Sequence, residues 1–128
     1  MPAEGEGKKE SDAVAFKLGL TTARSSGPGD FTHQIFGTRT LGLTGRVPQS
    51  GLADYLSGLL IGHELVSGLA GAGDLASVPL VMIGAPALCE RYAQSLKVFG
   101  KTADAVLDNT APVGLWNLAL AAGLVSAN

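Results

Sequence analysis

The sequence predicts a helix-rich α/β domain, and three observations carry that reading. Apolar residues recur at helical spacing over a long central segment: Leu52, Leu56, Leu59, His63 and Val66 follow an i, i+4, i+7 pattern, which Tyr55, Leu60 and Leu69 widen. Residues 77–83 form a continuous apolar run with two valines and an isoleucine, which suits a strand buried on both faces, as in a parallel sheet. The run ends in Gly84-Ala85-Pro86, a strand–turn–helix junction with proline at the first helical position.

The elements follow in order. Residues 1–11 are charged, contain glycine and lack periodicity, so they read as a disordered lead-in. Asp12 can cap a short helix over residues 13–20, with Val14, Phe16 and Leu18 near its apolar side. The SSGPG stretch at 25–29 is a loop, and Asp30 is placed to cap a second helix, starting with Phe31, Ile35 and Phe36 and running to Gly42 or Gly45. Residues 47–51 form another loop before the long central helix, which Gly68, Gly71 and Gly73 bring to an end. After the strand, Leu88, Cys89, Tyr92, Leu96 and Phe99 face inward on a fourth helix that Gly100 stops. A short strand at 105–107 precedes a last helix at 112–122, with Leu115, Trp116, Leu118 and Ala119 packed and Gly123 at its C-terminal cap. Residues 12–128 read as one unit, with no internal repeat and no heptad pattern.

Composition excludes several classes. The chain of 128 residues is 46% hydrophobic and 16% charged, which argues against disorder for most of it. A net charge of −2 gives no electrostatic reason to expect nucleic acid or an anionic membrane. The apolar run at 59–62 is broken by His63 and Glu64 and falls far short of the roughly 20 residues that cross a bilayer. The single cysteine, Cys89, cannot form an internal disulfide and reads as packing; it fits a reducing cytosol, and the expected location is cytoplasmic.

Glycine is the residue with the most to say. The chain has eighteen, set inside apolar segments. In the VMIGAP stretch, Gly84 and Ala85 let the backbone pass close to a flat ring, and Leu88 is the apolar wall beside them. Gly58 and Gly62 lie four apart in the central helix, where each costs about 1 kcal/mol relative to alanine. They make a shallow groove that serves either close helix packing or a slot for an adenine ring. His63 and Glu64 are adjacent and point about 100° apart, which suits a satisfied polar pair and not a metal pair. No metal or catalytic residue is assigned; Arg39 reads as an ion-pair partner, and Asp108-Asn109-Thr110 as a helix cap.

Four segments, FGTRTLGLTGR (36–46), DYLSGLLIGHEL (54–65), VMIGAPALCERYAQSL (81–96) and GLWNLALAAGL (114–124), resemble the C-terminal part of the 2-dehydro-3-deoxygalactonokinase family. That family belongs to the sugar kinase–actin–heat-shock ATPase superfamily, and the resemblance extends from about residue 15 to about residue 125. It implies a ribonuclease-H-like domain, with ATP and magnesium as cofactors and 2-dehydro-3-deoxy-D-galactonate as substrate. It also implies an adenosine pocket on Gly84, Ala85 and Leu88, flanked by the helix of Gly58 and Gly62.

The family also uses two glycine-rich phosphate hairpins, the first an aspartate followed by a Gly-Thr/Ser pair, and an acidic base. Nothing in residues 1–128 matches them. The expectation is a fragment contributing the adenosine side, with a separate N-terminal half as partner and an uncovered apolar face where the rest belongs. The alternatives are a non-catalytic binding or subunit module, or an inactive truncated relic.

Overall fold

In the computed structural model, which describes residues 4–74 and 77–127, two helices that approach closely at Gly19, Gly58 and Gly62 set the architecture. The order is α1 (Glu4–Arg24), α2 (Asp30–Leu43), a 3-10 turn (Gln49–Gly51), α3 (Leu52–Gly71), β1 (Val81–Ile83), α4 (Pro86–Val98), β2 (Ala105–Leu107) and α5 (Ala111–Ala121). This is the expected sequence of elements, helix-rich with a small sheet.

Helix α1 meets α3 through small residues. A Cβ on Gly19 would lie 2.7 Å from the amide nitrogen of Leu59, and one on Gly62 would lie 2.5 Å from the Cβ of Ala23. A Cβ on Gly58 would collide with the carbonyl oxygen of Phe16. Each glycine's helix-propensity cost is thus offset by backbone approach and the dispersion it permits. Around this seam lie the buried Ala15, Ala23, Val47, Tyr55 and Leu59, with Ile35 and Leu41 of α2 packed against them. Phe16, Leu20 and Ile61 form a second buried group, which Tyr92 and Val98 join from α4.

Two polar links tie α4 to this core. Arg91 donates to Asp54 Oδ1 at 2.6 Å and to Ser57 Oγ at 2.8 Å, and its guanidinium lies 4.9 Å from the Phe16 ring centre. Arg24 donates to the Val98 carbonyl at 2.6 Å, a cation at the negative end of α4.

Strands β1 and β2 are parallel, pairing Val81 with Ala105 through Ile83 with Leu107, and α4 is the crossover between them. Asp104 clamps the start of the ladder: its side chain accepts the Leu80 N–H at 2.7 Å, and its own N–H donates to the Leu80 carbonyl at 2.7 Å.

Several expectations are corrected. Helix α1 begins at Glu4, so residues 4–11 are helical where composition suggests a disordered lead-in, and Asp12 sits inside the helix instead of capping it. Residues 1–3 of that lead-in lie outside the described residues. The α2 N-cap is Gly29, at φ 89°; Asp30 is the first helical residue and accepts the Gly27 N–H at 2.8 Å. The strand covers three residues, and Val81 and Ile83 are exposed, not buried on both faces. In α5 no residue is buried, so Leu115, Trp116 and Leu118 face outward. The helix ends agree better: Gly45, Gly73, Gly100 and Gly123 all adopt left-handed backbone, and Pro86 opens α4.

Candidate functional site

The β1–α4 junction separates two grooves. Met82, Gly84 and Cys89 border both. The first groove, about 300 Å³, adds Ile83, Leu88 and Tyr92 and reaches across to Glu64 on α3. The second, about 380 Å³, lies on the β2 side and adds Pro86, Glu90, Ala93, Val106, Leu107 and Asp108. The first groove lies between the central helix and the Gly84 turn, but on the Glu64 side of that helix and not on the Gly58–Gly62 side.

Gly84 is unlike the glycines of the helix seam. Its backbone is not left-handed, and a Cβ there would meet only Cys89 Sγ, at 3.6 Å, an ordinary contact. Neither conformation nor packing requires glycine at this position. Its N–H donates to the Leu107 carbonyl at 3.2 Å, which fixes the turn against β2. Leu88 is half exposed on the groove wall. Ala85 is the α4 N-cap, extended at φ −61° and ψ 140°; its carbonyl accepts the Cys89 N–H at 3.0 Å, and its side chain borders neither groove.

Gly58 and Gly62 are not on the groove. Both are buried against α1, where α3 presses on the backbone of Phe16 and Leu20 and the side chain of Ala23. Their assignment to an adenine slot is corrected to close helix packing. The residue α3 gives the groove is Glu64. Glu64 and His63 diverge as adjacent helical residues must. His63 turns to α2, where Nε2 donates to Gln34 Oε1 at 2.8 Å and the ring meets Phe31 edge-on at 4.9 Å. Glu64 turns to α4 and accepts the Tyr92 hydroxyl. That hydrogen bond, then burial, then the carboxylate's charge, push the Tyr92 hydroxyl up to about 12, so it is a proton donor across the ordinary pH range.

Tyr92, which helical periodicity assigns to packing alone, also lines the groove. The signal was faint, because its partner lies 28 residues away on another helix.

Elsewhere, the α5 N-cap is Thr110, whose side chain makes no capping hydrogen bond; the first helical N–H, that of Ala111, is accepted by Asn109 Oδ1 at 3.1 Å, one residue before the cap. Arg39 is exposed and has no ion pair among the described residues, where a structural pair was expected. No Lys or Arg lines either groove among those residues. No group of three or more His, Cys, Asp or Glu side chains that could hold a metal ion gathers among the described residues. No helix of the described residues is long and apolar enough to cross a membrane.

Curated proteins provide no match to this chain. The family model of 2-keto-3-deoxy-galactonokinase, the same sugar acid in older wording, matches residues 3–118. That span takes in α2, α3 and both walls of the first groove. The chain belongs to the 2-keto-3-deoxy-galactonokinase family, a family of kinases acting in carbohydrate metabolism.

Proposed function

We propose that this chain supplies the adenosine side of an ATP site for phosphorylation of 2-dehydro-3-deoxy-D-galactonate, as part of a ribonuclease-H-like domain. One observation carries the reading. Gly84 is free of any conformational or packing demand for glycine, yet it borders a groove with apolar walls. A ligand that passes close to the backbone there accounts for the missing side chain. Leu88, Met82 and Ile83 give a flat ring apolar contact, and Ala85 holds the start of α4 at the edge of the turn. ATP bound in this way would supply the phosphoryl group; the chain's own part is to hold and orient the nucleoside.

Neither groove offers a cation to the triphosphate, and no metal ligands gather among the described residues. In this proposal the phosphate hairpins, the magnesium and the acidic base belong to a separate N-terminal half. The exposed apolar side chains of α5 are a surface available to it. Positioning and charge stabilisation supply most of the catalysis in phosphoryl transfer, so the chain by itself is expected to be inactive.

The test is an ATP-dependent assay with the sugar acid, run with and without a hairpin-bearing N-terminal half. The proposal expects turnover only with both parts. Sugar-acid-dependent turnover by the chain alone, or none with both, contradicts it.

A further inference from the structure

We propose that Glu64 reads the ribose diol of the nucleotide and so decides which end of it enters the first groove. The inference rests on the adenosine reading above and adds a residue and an orientation to it. The Glu64 carboxylate stands on the α3 rim, across from the Gly84 turn and Leu88. Tyr92 donates its hydroxyl to Oε2 from α4, and its half-buried ring packs against the buried group of Phe16, Leu20 and Ile61. The phenol therefore fixes the carboxylate while using only part of its acceptor capacity. An ionised carboxylate has two oxygens, about four lone-pair sites and no proton to give.

What faces the groove is an anchored acceptor at the edge of an apolar slot. A ligand group that meets it must bring donors. Phosphates bring only negative oxygens, and with no Lys or Arg lining either groove nothing offsets their repulsion from Glu64. The triphosphate is turned outward, and the nucleoside end faces in. Two groups on that end carry donors. The adenine amine presents two hydrogens that diverge from one nitrogen. The ribose diol presents one hydroxyl for each carboxylate oxygen, in a bidentate match, and hydrogen bonds to a charged acceptor are the stronger kind. The diol is the better fit, and it leaves the base to the apolar walls beside Gly84.

The experiment is calorimetric titration of the full chain and of Glu64→Gln with ATP, its 2′-deoxy and 3′-deoxy analogues, and the triphosphate of purine riboside, which lacks the amine. Glutamine keeps an acceptor for Tyr92, so the fold is retained, and a thermal melt checks it. In the unsubstituted chain, loss of either hydroxyl should weaken binding about tenfold, and loss of the amine should leave the affinity unchanged. In Glu64→Gln, ATP should weaken to the same degree and the deoxy analogues should bind as well as ATP. Equal binding of ATP and its deoxy analogues by the unsubstituted chain overturns the role of Glu64 and leaves the adenosine reading standing. So does a hydroxyl preference that survives Glu64→Gln, or discrimination against the analogue without the amine. Absence of ATP binding overturns both.

Discussion

The carbonyl oxygen of Phe16 occupies the place where a Cβ on Gly58 would stand, with the amide nitrogen of Leu20 a further 3.1 Å contact. Both are backbone atoms, so the clash cannot be relieved by a rotamer change. Gly58→Ala is therefore expected to lower the unfolding free energy by about 2–3 kcal/mol in a urea titration, because α1 and α3 must separate. Gly68, in the same helix, faces open space, and Gly68→Ala is expected to stabilise by up to about 1 kcal/mol. If the two substitutions behave alike, α1 and α3 do not meet backbone to backbone at Gly58.

The glycines show what was legible in the sequence and what was not. The spacing of Gly58 and Gly62 announced a narrow helix face but was equally good for a ring or for a second helix. Its partner stripe, Ala15, Gly19 and Ala23 at the same four-residue spacing in α1, was the signal that decides the matter. The order of elements, the Pro86 start and the glycine stops were readable because they are local backbone chemistry. The Glu64–Tyr92 contact was not, since it depends on how α3 and α4 meet. The exposure of β1 and α5 is not legible for a related reason: apolar composition says that a surface wants cover, not that this chain provides it.

Arg91 is the hinge pin of α4, and Arg91→Ala is expected to cost about 1–2 kcal/mol through loss of the Asp54 pair and the Phe16 contact together. The Arg91 and Asp54 side chains are 41% and 19% exposed, so solvent screening limits the pair itself. A double-mutant cycle with Asp54→Ala should give a coupling of about 0.5–1 kcal/mol that shrinks in high salt. Zero coupling would show that Arg91 acts by packing alone.

Tyr92 predicts a pH dependence with a definite sign. Its hydroxyl titrates at an ordinary value near 10 in the unfolded chain and at about 12 when folded. The folded state holds the proton more tightly, so this contribution is fully present below about pH 10 and is lost as pH rises towards about 12. The difference in melting temperature between the native chain and Tyr92→Phe, followed from neutral pH upward, should stay flat and then close across that window. A difference that stays constant would mean that Glu64 does not hold the phenol.

Helix α5 exposes Leu115 at 66% and Trp116 at 51%, with Val113 and Leu118 also outward. An exposed helix that is apolar all round drives association. Sedimentation over a hundredfold concentration range is expected to show mass rising with concentration, and Leu115→Glu with Leu118→Glu should suppress the rise. A concentration-independent monomer from the unsubstituted chain would count against an uncovered interface.

Placement of the nucleotide turns on Gly84, and the most direct measurement sets ATP affinity beside thermal stability for the native chain and for Gly84→Val. A Cβ at this position makes only an ordinary contact with Cys89, so the branched side chain extends into the grooves more than into the core. The prediction is that Gly84→Val loses ATP binding by tenfold or more, about 1.4 kcal/mol or above, while the melting temperature moves by only a few degrees. Equal losses of binding and stability, or ATP binding untouched by valine, would contradict the placement of the nucleotide at the β1–α4 turn.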